Sequence, residues 1–187
     1  MAKLPSLPEN PHLAHVFSRF PKGVLTLCKL HDEMLRGESD LTVGERELIA
    51  AVTSAANACN FCFDAHRRAA AAFDVDVDLV DALVTDFDNA PVEPKVRPLL
   101  AYAIKLTRAP AQVTDADAAA VLEAGWTEEA LMDAIWVIGM FNLMNRMVEG
   151  SGVVRQPEME LTDEVKNFFR TRSYLDFGQA AIAGEMD

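Results

Sequence analysis

The sequence predicts an all-α fold, a single-domain helical bundle. Three observations lead to it. Apolar residues recur at three- and four-residue spacing along most of the chain, strand-like alternation is absent, and helix-capping and helix-stopping residues punctuate the periodic stretches. The chain has 187 residues, 50% of them hydrophobic, which is enough to build one core and is unlike a disordered chain.

The elements follow in order. Pro5 to Pro11 is proline-rich and predicts an irregular arm. Between Leu13 and Leu35 the residues Val16, Phe17, Phe20, Val24, Leu27 and Leu30 keep helical spacing. Pro21 and Gly23 divide that stretch into two helices or one broken one. Gly37 to Asp40 reads as a turn. Thr42 and Glu45 stand at capping-box spacing and open a helix to about Ala56. Asn57 is the expected cap of the next helix, Cys59 to Phe73, in which the alanines 69–72 favour helix and close packing. Helices are expected over Asp78 to Phe87 and Lys95 to Arg108, separated by Pro91 and Pro94. A further one covers Thr114 to Glu123, with Gly125 as its stop. Thr127 opens the most hydrophobic helix, which ends near Gly150 and reads as buried. Leu161 to Phe169 is a last short helix, and Gln179 to Asp187 reads as a frayed end. The expected organisation is an N-terminal arm (1–12), a helical domain (13–170) and a C-terminal tail (171–187). A fixed-period repeat is not seen.

Charge narrows the function. A net charge of −12, with Arg67-Arg68 as the notable basic pair, argues against nucleic acid and against anionic membrane surfaces. The most apolar stretch, Ala134 to Met144, is too short to span a bilayer and is broken by Asn142 and Asn145. The first residues lack the apolar core of a signal peptide. Three cysteines do not make a secreted disulfide framework, so a cytoplasmic protein is expected. In that compartment a close cysteine pair points to catalysis or metal.

Cys59, Cys62 and His66 are spaced i, i+3, i+7, which puts them within about 60° of one another on a helix at roughly 100° per residue. A thiol in the first turn gains from free amides and the helix dipole, which favour the reactive thiolate. His66 can exchange a proton, and Glu47 in the preceding helix can fold back as a base. Each element also has a structural alternative: two small core cysteines, a satisfied buried histidine, a solvated glutamate. Two thiolates and an imidazole could also join a zinc site, although a fourth ligand at a telling spacing is missing; His12, His15 and His31 are the remote candidates. Cys28 is isolated on an apolar face and reads as core. Met140, Met144 and Met147 form a stripe of packing residues. Asn142, Asn145 and Arg146, polar in a buried helix, need partners and read as braces.

The run Glu-Leu-x-Ala-x-x-x-Ser-x-x-Asn-x-Cys-x-x-Cys-x-x-x-His, from Glu47 to His66, resembles the core of the alkylhydroperoxidase D family, within the carboxymuconolactone decarboxylase-like superfamily. Phe141, Asn142, Asn145 and Arg146, followed by Gly150 and Gly152, resemble the second half of its peroxidase-related branch. The resemblance implies a helical thiol peroxidase or thiol–disulfide oxidoreductase that needs no bound cofactor and no metal. It implies Cys59 and Cys62 as the redox pair, Glu47 as base and His66 as relay. It also implies a hydroperoxide substrate, a thiol or dithiol reductant, and a homo-oligomer, a trimer or hexamer. Phe61 departs from the pattern, since relatives often carry a second histidine there. Decarboxylase relatives characteristically lack the CxxC. Two rivals stand beside this reading: a non-enzymatic helical oligomer with a redox-sensing cysteine pair, and a structural zinc protein.

Overall fold

The computed structural model describes residues 2–155 and 160–186. Among these residues every regular element is helical, as expected. The order is α1 (Leu13–Arg19), α2 (Val24–Arg36), α3 (Val43–Ala56), α4 (Asn60–Ala72), α5 (Val77–Thr85), α6 (Val96–Arg108), α7 (Asp115–Glu123), α8 (Glu128–Ser151), α9 (Asp163–Thr171) and α10 (Tyr174–Ala183), with a single 3₁₀ turn after α6.

The centre of the molecule is α3, which packs against α4, α8, α6 and α5. Its start is fixed by the predicted capping box: the Glu45 amide donates to Thr42 Oγ1 and Glu45 Oε2 accepts from the Thr42 amide at 2.7 Å. Every residue from Arg46 to Ser54 is buried, so α3 has no solvent face and must satisfy its polar side chains internally. Around it, Leu35, Leu41, Ile49, Leu99, Leu100, Val137, Ile138 and Phe141 form the densest part of the core. Gly44 lets α3 pass close to the end of α4, because a Cβ there would meet the Phe73 carbonyl oxygen at 2.7 Å.

Two expectations are corrected. Asn57 does not cap the second helix. It closes α3, its amide donating to Thr53 O at 3.1 Å, and Cys59 itself occupies the N-cap position of α4. The reversal between the helices runs through Ala58, held left-handed at φ 55°, a conformation that costs a non-glycine residue about 1 kcal/mol. The second correction concerns the C-terminal tail. Tyr174–Ala183 is a helix that packs on α1 and α2, not a frayed end; Asp187 lies outside the described residues. Asp32 accepts from the Tyr174 and Leu175 amides at 2.7 and 2.9 Å, and so caps α10 from α2. Gly178 then seats the helix on Cys28, where a Cβ would come within 2.6 Å of the sulfur. Gly184, at φ 73°, ends it.

The N-terminal arm carries no helix before Leu13, and it is anchored. The Lys3 amide donates to Ser151 O at 3.1 Å, and Leu7 is buried with Val16, Val148 and Val153 around the two cysteines.

Candidate functional site

The predicted residues come together from α3 and α4. Glu47 projects from the middle of α3 and is fully buried, with no exposed surface. His66 Nδ1 lies 2.5 Å from Glu47 Oε2, while the ring meets Phe141 edge-to-face at 4.2 Å between centroids. The second carboxylate oxygen, Oε1, receives Arg36 Nη1 at 2.5 Å and the Tyr174 hydroxyl at 3.3 Å. Burial by itself would push the Glu47 carboxyl upward. His66 and Arg36 overcome it and hold the group below the ordinary carboxylate range, so it is ionised. An ionised Glu47 accepts the Nδ1 proton of His66, which leaves Nε2 as the ring nitrogen able to exchange a proton with a substrate or thiol.

Arg36 and Tyr174 were not legible as site residues in the sequence. Arg36 ends α2 and lies over the faces of Phe73 and Tyr174, with its charge fixed by Glu47 despite burial. Tyr174 is the first residue of α10. Burial, then the negative charge of Glu47, raises its hydroxyl well above the usual phenol value, so it stays a neutral donor. His31 also reaches this region. Its Nδ1 faces Leu27 O at 2.8 Å, and burial lowers its pKa to about 4, so the ring is neutral at ordinary pH.

The two cysteines are unequal. Both are reduced and buried. Cys62 lines a cavity of about 240 Å³ together with His66, His31, Arg36 and Tyr174. Cys59 does not line it and is closed off behind the arm. Interaction with the Cys62 thiol holds the Cys59 thiol below its usual value, against burial and helped by the Cys62 amide. The same thiol–thiol contact, and burial, drive Cys62 upward; Asn145 opposes this weakly. Of the two thiols, Cys59, beside the N-terminus of α4, is thus the one whose ionised form is favoured.

Asn142 and Asn145 behave as braces. Asn57 Nδ2 donates to Asn142 Oδ1 at 3.2 Å and to Asn145 Oδ1 at 2.9 Å, while Asn145 Nδ2 reaches Ser54 Oγ at 3.1 Å. Arg146 Nη1 holds Asn142 Oδ1 at 2.9 Å. These bonds tie α8 to the α3–α4 reversal and so fix the start of the helix that carries both cysteines. Cys28 is a buried thiol raised to about 11 by burial first and Asp32 second. Among the described residues no group of three or more His, Cys, Asp and Glu side chains is placed to hold a metal ion. Nor is any described helix long and apolar enough to cross a membrane.

Comparison with known proteins adds a family. The sequence model of the carboxymuconolactone decarboxylase family matches residues 21–86, the stretch holding α2 to α5. No curated protein matches the chain. Among solved structures, an uncharacterised peroxidase-related protein from Silicibacter sp. TM1040 is 28% identical, with 84% of this chain and 80% of that one covered and a TM-score of 0.71. A peroxidase-related protein from Ralstonia eutropha JMP134, described as an alkylhydroperoxidase AhpD core, is equally similar at 28% identity, the same 84% and 80% coverage and a TM-score of 0.71. A protein of unknown function from Agrobacterium tumefaciens shares the fold at 20% identity, covering 76% of this chain and 97% of its own with a TM-score of 0.67. The family match across the cysteine-bearing helices and the common all-helical fold thus agree, and the chain is similar to proteins of the alkylhydroperoxidase D and carboxymuconolactone decarboxylase-like superfamily.

Proposed function

We propose that this protein is a thiol-dependent peroxidase, an oxidoreductase in which Cys59 and Cys62 cycle between dithiol and disulfide. The observation that carries the reading is that Cys62 and His66, one helical turn apart on α4, both line an apolar cavity while Cys59 waits behind Cys62. Cys62 is the sulfur that a substrate can reach. It attacks the terminal oxygen of a hydroperoxide: the S–O bond forms, the O–O bond breaks, and two electrons pass to the peroxide. The Cys62 proton moves to His66 Nε2 and from there to the departing alkoxide, which leaves as an alcohol. The Cys59 thiolate then attacks the sulfenic sulfur of Cys62. The S–S bond forms, and the hydroxide released is protonated to water. An external thiol or dithiol restores the pair by disulfide exchange.

In this scheme Glu47 does not take the substrate proton itself. Paired with Arg36, it is too good an anion for that task, and it serves by fixing the His66 tautomer and stabilising the imidazolium. Phe61, where relatives often carry histidine, adds an apolar wall instead of a second proton carrier. We infer a cytoplasmic homo-oligomer for the working form, consistent with a stripe of exposed apolar residues on α8.

The test is a thiol count with stopped-flow mixing against hydrogen peroxide and an organic hydroperoxide. Wild type should lose two thiols rapidly, leaving Cys28. Cys59→Ser should lose one and stop at the sulfenic acid, and Cys62→Ser should not react. A Cys62→Ser variant as fast as wild type sinks the reading. A disulfide that forms without accelerated reaction would favour a redox-sensing oligomer instead.

A further inference from the structure

We propose that the hydroperoxide accepted here has an apolar body and a carboxylate, and that Arg172 binds the carboxylate. The inference rests on the reading of Cys62 as a peroxide-reducing thiol. It concerns what the cavity selects.

The cavity lining is mostly apolar, with polar groups from α2 and α4 and, separately in sequence, Arg172 from the turn between α9 and α10. Cys62, His66 and His31 are among the groups from α2 and α4, and the walls are made largely of Phe17, Phe141, Phe168, Phe169 and Phe177. Hydrogen peroxide alone would leave those rings facing water; an organic body covers them. The volume of about 240 Å³ leaves room for a ring or a branched chain.

The separate group is a cation. Arg172 lines the inner cavity and also a more open vestibule beyond it, so it stands where the two join. Two arginines line the inner cavity. Arg36 is bound to Glu47, whereas Arg172 lies against the Phe168 ring at 5.2 Å and points an Nη2 donor to the Met186 sulfur at 3.9 Å. Among the described residues Arg172 forms no ion pair, and Glu185, the acid that lines the vestibule, does not bridge to it. A guanidinium carries five donors in a planar fork, and a thioether and a ring face do not satisfy them. A carboxylate does, in two parallel hydrogen bonds. On α2, His31 donates Nδ1–H to Leu27 O, so its Nε2 is an acceptor available to the hydroperoxide O–H. One molecule with both groups meets both partners.

Cumene hydroperoxide and its 4-carboxy analogue are the probes, tested with wild type, Arg172→Gln and Arg172→Lys. The corresponding alcohols, which cannot oxidise a thiol, are titrated by calorimetry. Thiol oxidation by each hydroperoxide, and by hydrogen peroxide, is followed by stopped flow. The carboxylated alcohol should bind about tenfold tighter than the neutral one, and its hydroperoxide should show a similarly higher kcat/KM. Arg172→Gln should erase the preference by acting on the carboxylated compounds alone; Arg172→Lys should keep part of it. Reactive thiols with no carboxylate preference, or an Arg172→Gln variant that slows all three peroxides equally, overturn this assignment and leave the peroxidase reading standing. Thiols inert to every peroxide overturn both.

Discussion

Tyr174 donates its phenolic hydrogen to Oε1 of Glu47 across 127 positions of sequence, and by doing so it links the C-terminal helix to the carboxylate at the heart of α3. Glu47 is thereby held from three sides, by α2, α4 and α10. A carboxylate fixed in this way can orient His66 without itself moving.

Tyr174→Phe removes one donor and little volume. The 3.3 Å bond is long for a charged acceptor, so the stability lost should be about 1 kcal/mol, seen as a melting temperature lower by about 3 °C. A purely structural role would end there. If Tyr174 positions the relay, the pH–rate profile of thiol oxidation also shifts, because the carboxylate that orients His66 loses one of the donors that fix it. An unchanged profile would restrict Tyr174 to packing.

How much of this was legible in the sequence depends on how local each feature is. Glu47, Cys59, Cys62 and His66 fall in one continuous run, where helical spacing alone brings the last three to one face. Arg36 and Tyr174 reach the same carboxylate from other helices, and no short-range pattern marks either as more than an ordinary arginine or tyrosine. Asn57 misled because asparagine suits both ends of a helix. What decided its place was the left-handed Ala58 that follows, and alanine gives no hint of that conformation. The C-terminal helix was missed for a similar reason: although Ser173 caps it locally, its first two amides are held by Asp32 from α2, and its close seat on Cys28 depends on Gly178, a residue that weakens a helix read in isolation.

Arg36→Met leaves the fully buried Glu47 without its permanent cation. Removing one member of a buried pair costs about 3–5 kcal/mol, and the low end is expected because the Arg36 side chain is 20% exposed. Arg36→Lys should recover much of the loss. The Arg36 Nε is buried without a partner and only Nη1 meets Glu47, so the site uses a point charge rather than the full fork. The double variant Arg36→Met/Glu47→Gln should be more stable than the sum of the single losses predicts, as measured by urea unfolding. Strict additivity would mean the two residues do not act as a pair.

His31 sets an acid limit. Its pKa falls from 6.5 to about 4 on folding, chiefly through burial. The unfolded chain takes up a proton near 6.5 and the folded one does not, so this contribution to stability is complete above that pH and is lost as pH falls toward 4. By about pH 5 the loss should approach 2 kcal/mol at about 1.4 kcal/mol per unit. Urea midpoints for wild type and His31→Gln between about pH 7 and pH 5 check this: the wild-type midpoint should fall and the variant's should stay nearly flat. Parallel declines would assign the acid sensitivity to other groups.

Met132, Trp136 and Leu143 are each close to half exposed on α8 and lie within about 40° of one another around the helix, a continuous apolar stripe with Gly139 among them. Large side chains left in water along a helix otherwise buried on its inner face are the mark of an interface between copies. Trp136→Lys combined with Leu143→Lys should convert an assembled wild type to monomer in sedimentation velocity. The helical circular dichroism should be unchanged, because both side chains face away from the core. The thiol count should also stay the same, since neither residue lines the Cys62 cavity. A double variant that sediments with the wild-type assembly would move the interface elsewhere on the surface.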